Sequence, residues 1–159
     1  MRMTSNPPAV ADLAELTVRR TIWIAAAIEK VWSAVTQPEH ISLWLGQAAF
    51  DGEGVGTRGT VSWPDRGPVP LRIEAMEAPR MVSYRWSNDD ALRAVPDAVN
   101  DGRSTVFTFT LEPVSGGTQL TVVETGFETT SDPAANLDSH RAGWDFELDE
   151  LVALLEAGS

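Results

Sequence analysis

The sequence predicts an α+β fold in one domain: a strand, two short helices, a run of antiparallel strands and a long C-terminal helix. Three observations predict it. Apolar residues recur at helical spacing shortly after residue 25, the period changes to two from about residue 59, and a single apolar stripe returns over residues 136–158.

Residues 1–14 carry Pro7-Pro8 and small side chains and read as a flexible tail, which leaves 15–157 as the domain. "LTVRRTIWI" alternates, with Leu16, Val18, Ile22 and Ile24 on one face, and reads as a strand. "AAAIEKVWSAV" places Ile28, Val31, Trp32 and Val35 at i, i+3, i+4, i+7, which is helical spacing. "TQPEHISLWLG" reads as a second short helix, with Pro38 in its first turn, Ile41, Trp44 and Leu45 as its stripe and Gly46 closing it.

Period two then takes over. Val61 and Trp63 share a face, as do Val69, Leu71, Ile73 and Ala75. Val82, Tyr84 and Trp86 follow, then Phe107, Phe109 and Leu111, then Leu120 and Val122. Turn signals "PDRGP", "EAPR" and "PVSGG" separate these strands. "SNDDALRAVPDAVNDGR" is long, acidic and without a period, and reads as a mobile loop. In the last segment Leu137, His140, Trp144, Leu148, Leu151 and Leu155 form one stripe, while Asp145, Glu150 and Glu156 lie opposite.

"GVGTRG" at 54–59 fits the pattern G-x-G-x-x-G, whose glycines cradle a pyrophosphate when a helix follows. Here "TVSW" and Pro64 follow, a strand and a breaker. The glycines are therefore turn and strand-entry residues, needed for positive φ or close approach.

Composition narrows the function further. The 159 residues hold 23 acids against 12 basic residues, a formal charge of −11, and Lys30 is the single lysine. That field repels phosphate backbones and anionic lipid, so no nucleic-acid or membrane partner is expected. The chain has no cysteine, which rules out disulfides and thiolate sites. His40 and His140 lack close ligand spacing, so no metal is expected, and no cofactor either. The N-terminus has no uninterrupted apolar run of the kind a signal peptide needs, so a cytoplasmic protein is expected.

Four stretches, "AAIEKVWSAVTQPEHISLWLG", "IEAMEAPRMVSYRW", "GGTQLTVVETGF" and "GWDFELDELVALLE", carry a family resemblance. With the order of elements, the chain from about 16 to 156 resembles the START-like (SRPBCC) helix-grip superfamily. More narrowly it is similar to bacterial homologues of the activator of the heat-shock-protein ATPase. The resemblance implies a curved antiparallel sheet wrapped around the C-terminal helix, two short helices after the first strand, and a cavity between sheet and helix.

In that arrangement Trp32 and Trp44 sit on the short helices, and Trp63, Tyr84, Trp86, Phe107 and Phe109 line the sheet. Trp144 faces them from the long helix, flanked on its stripe by His140 and Leu148. Single rings of this set read mostly as core, because aromatics dominate core burial. Together, Trp44, Trp63, Tyr84, Trp86, Phe107, Phe109, His140, Trp144 and Leu148 are the candidate ligand-binding residues. Tyr84, Trp86 and Trp144 lead because each is an apolar body with one polar tip. His140 has two open readings, a polar group at the cavity mouth or a wet histidine at a frayed helix start. The second is the commoner fate of such a position. Arg20 and Glu124 share the parity of apolar neighbours on what would be adjacent strands, and read as a cross-strand pair.

No nucleophile elbow or H-E-x-x-H occurs, and no catalytic residue is identified. The expected function is binding of a small, mainly apolar or aromatic ligand in the cavity. The alternative is a protein-interaction module resembling the chaperone-ATPase activator, with a chaperone or other protein as partner. A cyclase-like enzyme ranks third, and the chain is expected to be a monomer or homodimer.

Overall fold

The structure is a computed structural model and describes residues 6–92 and 94–157. Alternating apolar side chains build eight strands: β1 (Val10–Asp12), β2 (Thr17–Ile24), β3 (Gln47–Phe50), β4 (Arg58–Trp63), β5 (Arg66–Glu77), β6 (Met81–Trp86), β7 (Thr105–Val114) and β8 (Gly117–Thr125). They form one antiparallel sheet in the order β1-β2-β8-β7-β6-β5-β4-β3. The helices are α1 (Ile28–Thr36), α2 (Pro38–Ile41) and α3 (Pro133–Ala157). This is the curved sheet, long C-terminal helix and pair of short helices of the helix-grip fold.

The sheet packs its inner face on α3, whose buried residues are Leu137, His140, Trp144, Leu148, Leu151 and Leu155 along with Asn136. That is the stripe the 3.6 periodicity predicts. β2 and β8, distant in sequence, pair with Val18 opposite Glu124 and Ile22 opposite Leu120. Two register shifts, between Val61 and Trp63 and between Ile73 and Ala75, bend the β4–β5–β6 region. The second one changes a face. Met76, not Ala75, packs against the core and lies opposite buried Val82.

Two strands differ from expectation. β1 lies inside the stretch read as a tail, and pairs with β2 through Val10–Arg19 to Asp12–Thr17. β3 follows the second helical turn, and its "QAAF" carries no β-branched residue to signal a strand. The glycines of 54–59 behave as turn residues do: Gly54 and Gly56 have φ of 85° and 93°. A Cβ on Gly59 would overlap the Ala49 carbonyl of the neighbouring strand.

Candidate functional site

Period two carries Glu124 inward with Leu120 and Val122, and its side chain is fully buried. A lone carboxylate there would be costly, so its partners decide its state. Trp86 Nε1 and Trp144 Nε1 donate to it, each at 2.9 Å, and the Thr105 hydroxyl donates as well. His140 Nδ1 donates at 2.9 Å, while His140 Nε2 donates to the Asn88 carbonyl at 2.9 Å and lies 3.3 Å from Asp90 Oδ2. Both ring nitrogens thus face acceptors, the geometry of an imidazolium.

Burial opposes charge on both groups, and their mutual attraction outweighs it. Burial pushes the Glu124 carboxyl up, but the His140 cation and the donors around it hold it below the usual value. Burial pushes the His140 ring down, but Glu124 and Asp90 hold it well above the usual histidine value. The pair is ionised, saturated and inward. His140 is also well inside α3, which begins at Pro133, so it is not a solvated residue at a frayed helix start.

Arg20 does not pair with Glu124. Its guanidinium donates to the carbonyls of Pro7, Trp144 and Asp145, and meets Asp149 Oδ1 at 2.7 Å. The shared parity was real, because both side chains are on the inner face. The helix separates them: α3 crosses over β2 and offers Arg20 its own acceptors, while Glu124 turns toward β6 and β7.

Beside this buried pair a cleft of about 340 Å³ opens to solvent. α3 supplies one wall, with Ser139 and His140, Gly143 and Trp144, and Glu147, each a turn apart. Trp63, Asp65 and Arg66 supply the second wall from the β4–β5 turn. Trp86, Asn88 and Asp90 close the third, and Leu45 completes the lining. Trp86 stacks near Trp144 at 6.1 Å between centroids and meets Trp63 edge-on at 6.2 Å.

Asn88 and Asp90 of the third wall belong to the segment expected to be a mobile loop, while Trp86 ends β6. The described residues of that segment form no helix or strand, yet the segment is tied to α3. Asn136, fully buried, donates to Asp89 and accepts from the Asp90 amide. Ser139 donates to Asp90 Oδ2 at 2.7 Å. Arg66 holds the same segment through Asn88 Oδ1 and the Asp89 carbonyl.

Of the nine candidate ligand-binding residues, Trp63, Trp86, His140 and Trp144 line this cleft. Trp44, Tyr84, Phe107 and Phe109 instead surround an interior void of about 10 Å³. That is at the limit for a single water, so these four rings fill the space between sheet and helix. Leu148 is fully buried core. The polar tips face inward too: Trp44 donates to the Ala34 carbonyl, Trp63 to Leu45 and Tyr84 to Val35. Sequence reasoning missed Ser139, Gly143 and Glu147. Their i, i+4, i+8 spacing beside the apolar stripe was the available signal, but small and acidic residues there read as solvent face.

No helix of the described residues is long and apolar enough to cross a membrane. No curated protein matches the chain. Among solved structures, protein MLL2253 from Mesorhizobium loti is 29% identical, with a TM-score of 0.74 over 90% of this chain and 98% of that one. The Aha1 dimer from Colwellia psychrerythraea is 21% identical, with a TM-score of 0.69 over 90% and 98%. DynU16, described as a putative protein of the dynemicin biosynthetic locus, is 24% identical, with a TM-score of 0.72 over 90% of this chain and 48% of that one. The last two share the fold. Residues 25–156 match the family model described as Activator of Hsp90 ATPase homolog 1-like protein, and the chain belongs to that family, within the START-like superfamily.

Proposed function

We propose that the protein binds a small, mainly aromatic ligand in the cleft between α3 and the β4–β5 turn. The observation that carries this is the placement of Trp63, Trp86 and Trp144 on three walls of one open cleft. Their indole N–H groups are all engaged by the protein, so what they offer a ligand is ring surface. A volume of about 340 Å³ suits one or two rings with a short substituent. The reading shifts the expected site from the closed interior, which is full, to this end of the helix.

The cleft supports binding better than catalysis by the buried pair. Glu124 has its lone pairs taken, and both His140 nitrogens carry protons, so neither is poised as a general base.

Gly143 provides the test. A Cβ there would meet nothing within 4 Å and Gly143 lines the cleft, so Gly143→Leu starts its side chain in open space at the site and removes a helix-destabilising glycine. Native mass spectrometry of the purified protein is expected to show a non-covalent adduct that disappears on denaturation and is absent from Gly143→Leu. Thermal stability of the variant is expected to equal or exceed that of the parent. An adduct retained by Gly143→Leu would place the ligand elsewhere. The same spectra address the interaction-module alternative, which draws on the family description, on the dimer among the structural neighbours and on exposed Phe146. A homodimer present in both proteins, with no adduct in either, would favour that alternative.

A further inference from the structure

We infer that the ligand of this cleft carries a cationic amino group, seated among the tryptophan faces with the Glu147 carboxylate as counter-charge: an arylalkylamine, not a neutral or acidic aromatic. This rests on the cleft being a ligand site.

The charges around the cleft are unequal in what they have left to give. Its two cations are already committed. Arg66 spends its guanidinium on Asn88, on the Asp89 carbonyl and on Asp90 at 3.9 Å. His140 is bonded at both nitrogens. An anionic ligand would have to compete with these acceptors, and with the Asp90 carboxylate that faces both cations.

The carboxylates divide the other way. Asp90 is held by Ser139 and lies against His140 and Arg66. Glu147 and Asp65, by contrast, have no hydrogen-bond or ion-pair partner among the described residues, and both line the cleft. Glu147 is half-buried. Burial, with Glu150 nearby, pushes its carboxyl up to about 7, the behaviour of an acid without a counter-ion. A ligand cation would supply what the proton otherwise supplies.

The tryptophans favour the same charge. An indole face is the best aromatic surface for an ammonium group, and its attraction grows as water is excluded. Rings and carboxylates thus select one kind of head group, while the apolar ring surface accommodates the aryl part. The chain's own charge of −11 draws cations toward it from a distance.

The test uses three compounds that share a phenyl ring on a two-carbon linker: phenethylamine, phenethyl alcohol and 3-phenylpropionate, each titrated into the full chain by calorimetry at pH 8. The amine is expected to bind about tenfold more tightly than the alcohol, and the propionate more weakly than either. Glu147→Gln, which keeps the side-chain volume, is expected to bring the amine close to the alcohol and to leave the alcohol's affinity unchanged. If the alcohol binds and the amine binds no better, the inference is overturned while the aromatic-ligand reading stands. Retention of the amine's advantage in Glu147→Gln overturns the assignment of its counter-charge. If none of the three binds and Gly143→Leu behaves as the parent, the cleft reading fails and this inference with it.

Discussion

Glu124 is a carboxylate with no solvent and no spare lone pair, and its value to the protein depends on His140 staying charged. Its pKa is depressed below 4.5, so its share of stability is present above 4.5 and is lost as pH falls through the folded value. The His140 pKa is raised above 6.5, so its share is complete below 6.5 and is lost as pH rises through the folded value. Urea unfolding is therefore expected to show greatest stability between about pH 4.5 and 6.5, as far as this pair governs it. Glu124→Gln strands a buried imidazolium and is expected to cost about 3 kcal/mol in that window. A loss under 1 kcal/mol would mean that the charge of His140 does not depend on Glu124. Parity alone revealed that Glu124 points inward. It did not reveal the partner, because His140 lies on the helix and meets Glu124 only after α3 docks.

At the scale of elements, the junction of α3 with β2 turns on Arg20. Its side chain is 3% exposed and grips two helix carbonyls together with Asp145 and Asp149. Asp145 also accepts from the Ala9 amide, which joins the chain just before β1 to the same helix. Arg20→Glu is expected to destabilise by about 3 kcal/mol, since it buries an unpaired charge against those acceptors. Adding Asp149→Arg is expected to recover about 1 kcal/mol, because Asp149 is exposed enough for water to screen the new pair. Adding Glu124→Arg instead is expected to recover nothing. Denaturant melts of the three variants separate the two pairings.

Elements also differ in how plainly the sequence announced them. β6 matches "MVSYRW" residue for residue, because a clean alternation has one register that buries its apolar face. β5 starts with the expected face and loses it at the Ile73–Ala75 shift, where an irregularity in the ladder moves Met76 inward. The segment after β6 reads as loop by composition, and by composition it is. Its order comes from Asp89 and Asp90 finding Ser131, Asn136 and Ser139 more than forty residues later.

For the whole molecule the excess of acids is a uniform burden. A net charge of −11 on one small domain repels itself, and salt screens that repulsion over a Debye length of about 10 Å at 0.1 M. Raising NaCl from about 20 to 200 mM is expected to raise Tm by about 2–5 °C, as read by circular dichroism. A fall in Tm would show instead that the ion pairs of Arg20, Arg72 and Arg85 outweigh the net repulsion.

Local pattern alone yields the α+β class, the order of most strands, and the apolar stripe of the helix that the sheet grips. These follow from local period and from turn residues, which act within a few positions of one another. It also disposed of the nucleotide motif, since a strand follows Gly59 where a helix would be needed. Only the tertiary structure decided which rings fill the interior and which border an opening, because that depends on how closely a curved sheet closes on a straight helix. It decided, too, that Glu124 belongs to His140 and Arg20 to α3. Pairing across the fold depends on where α3 crosses the sheet, and no periodicity along the chain records that crossing.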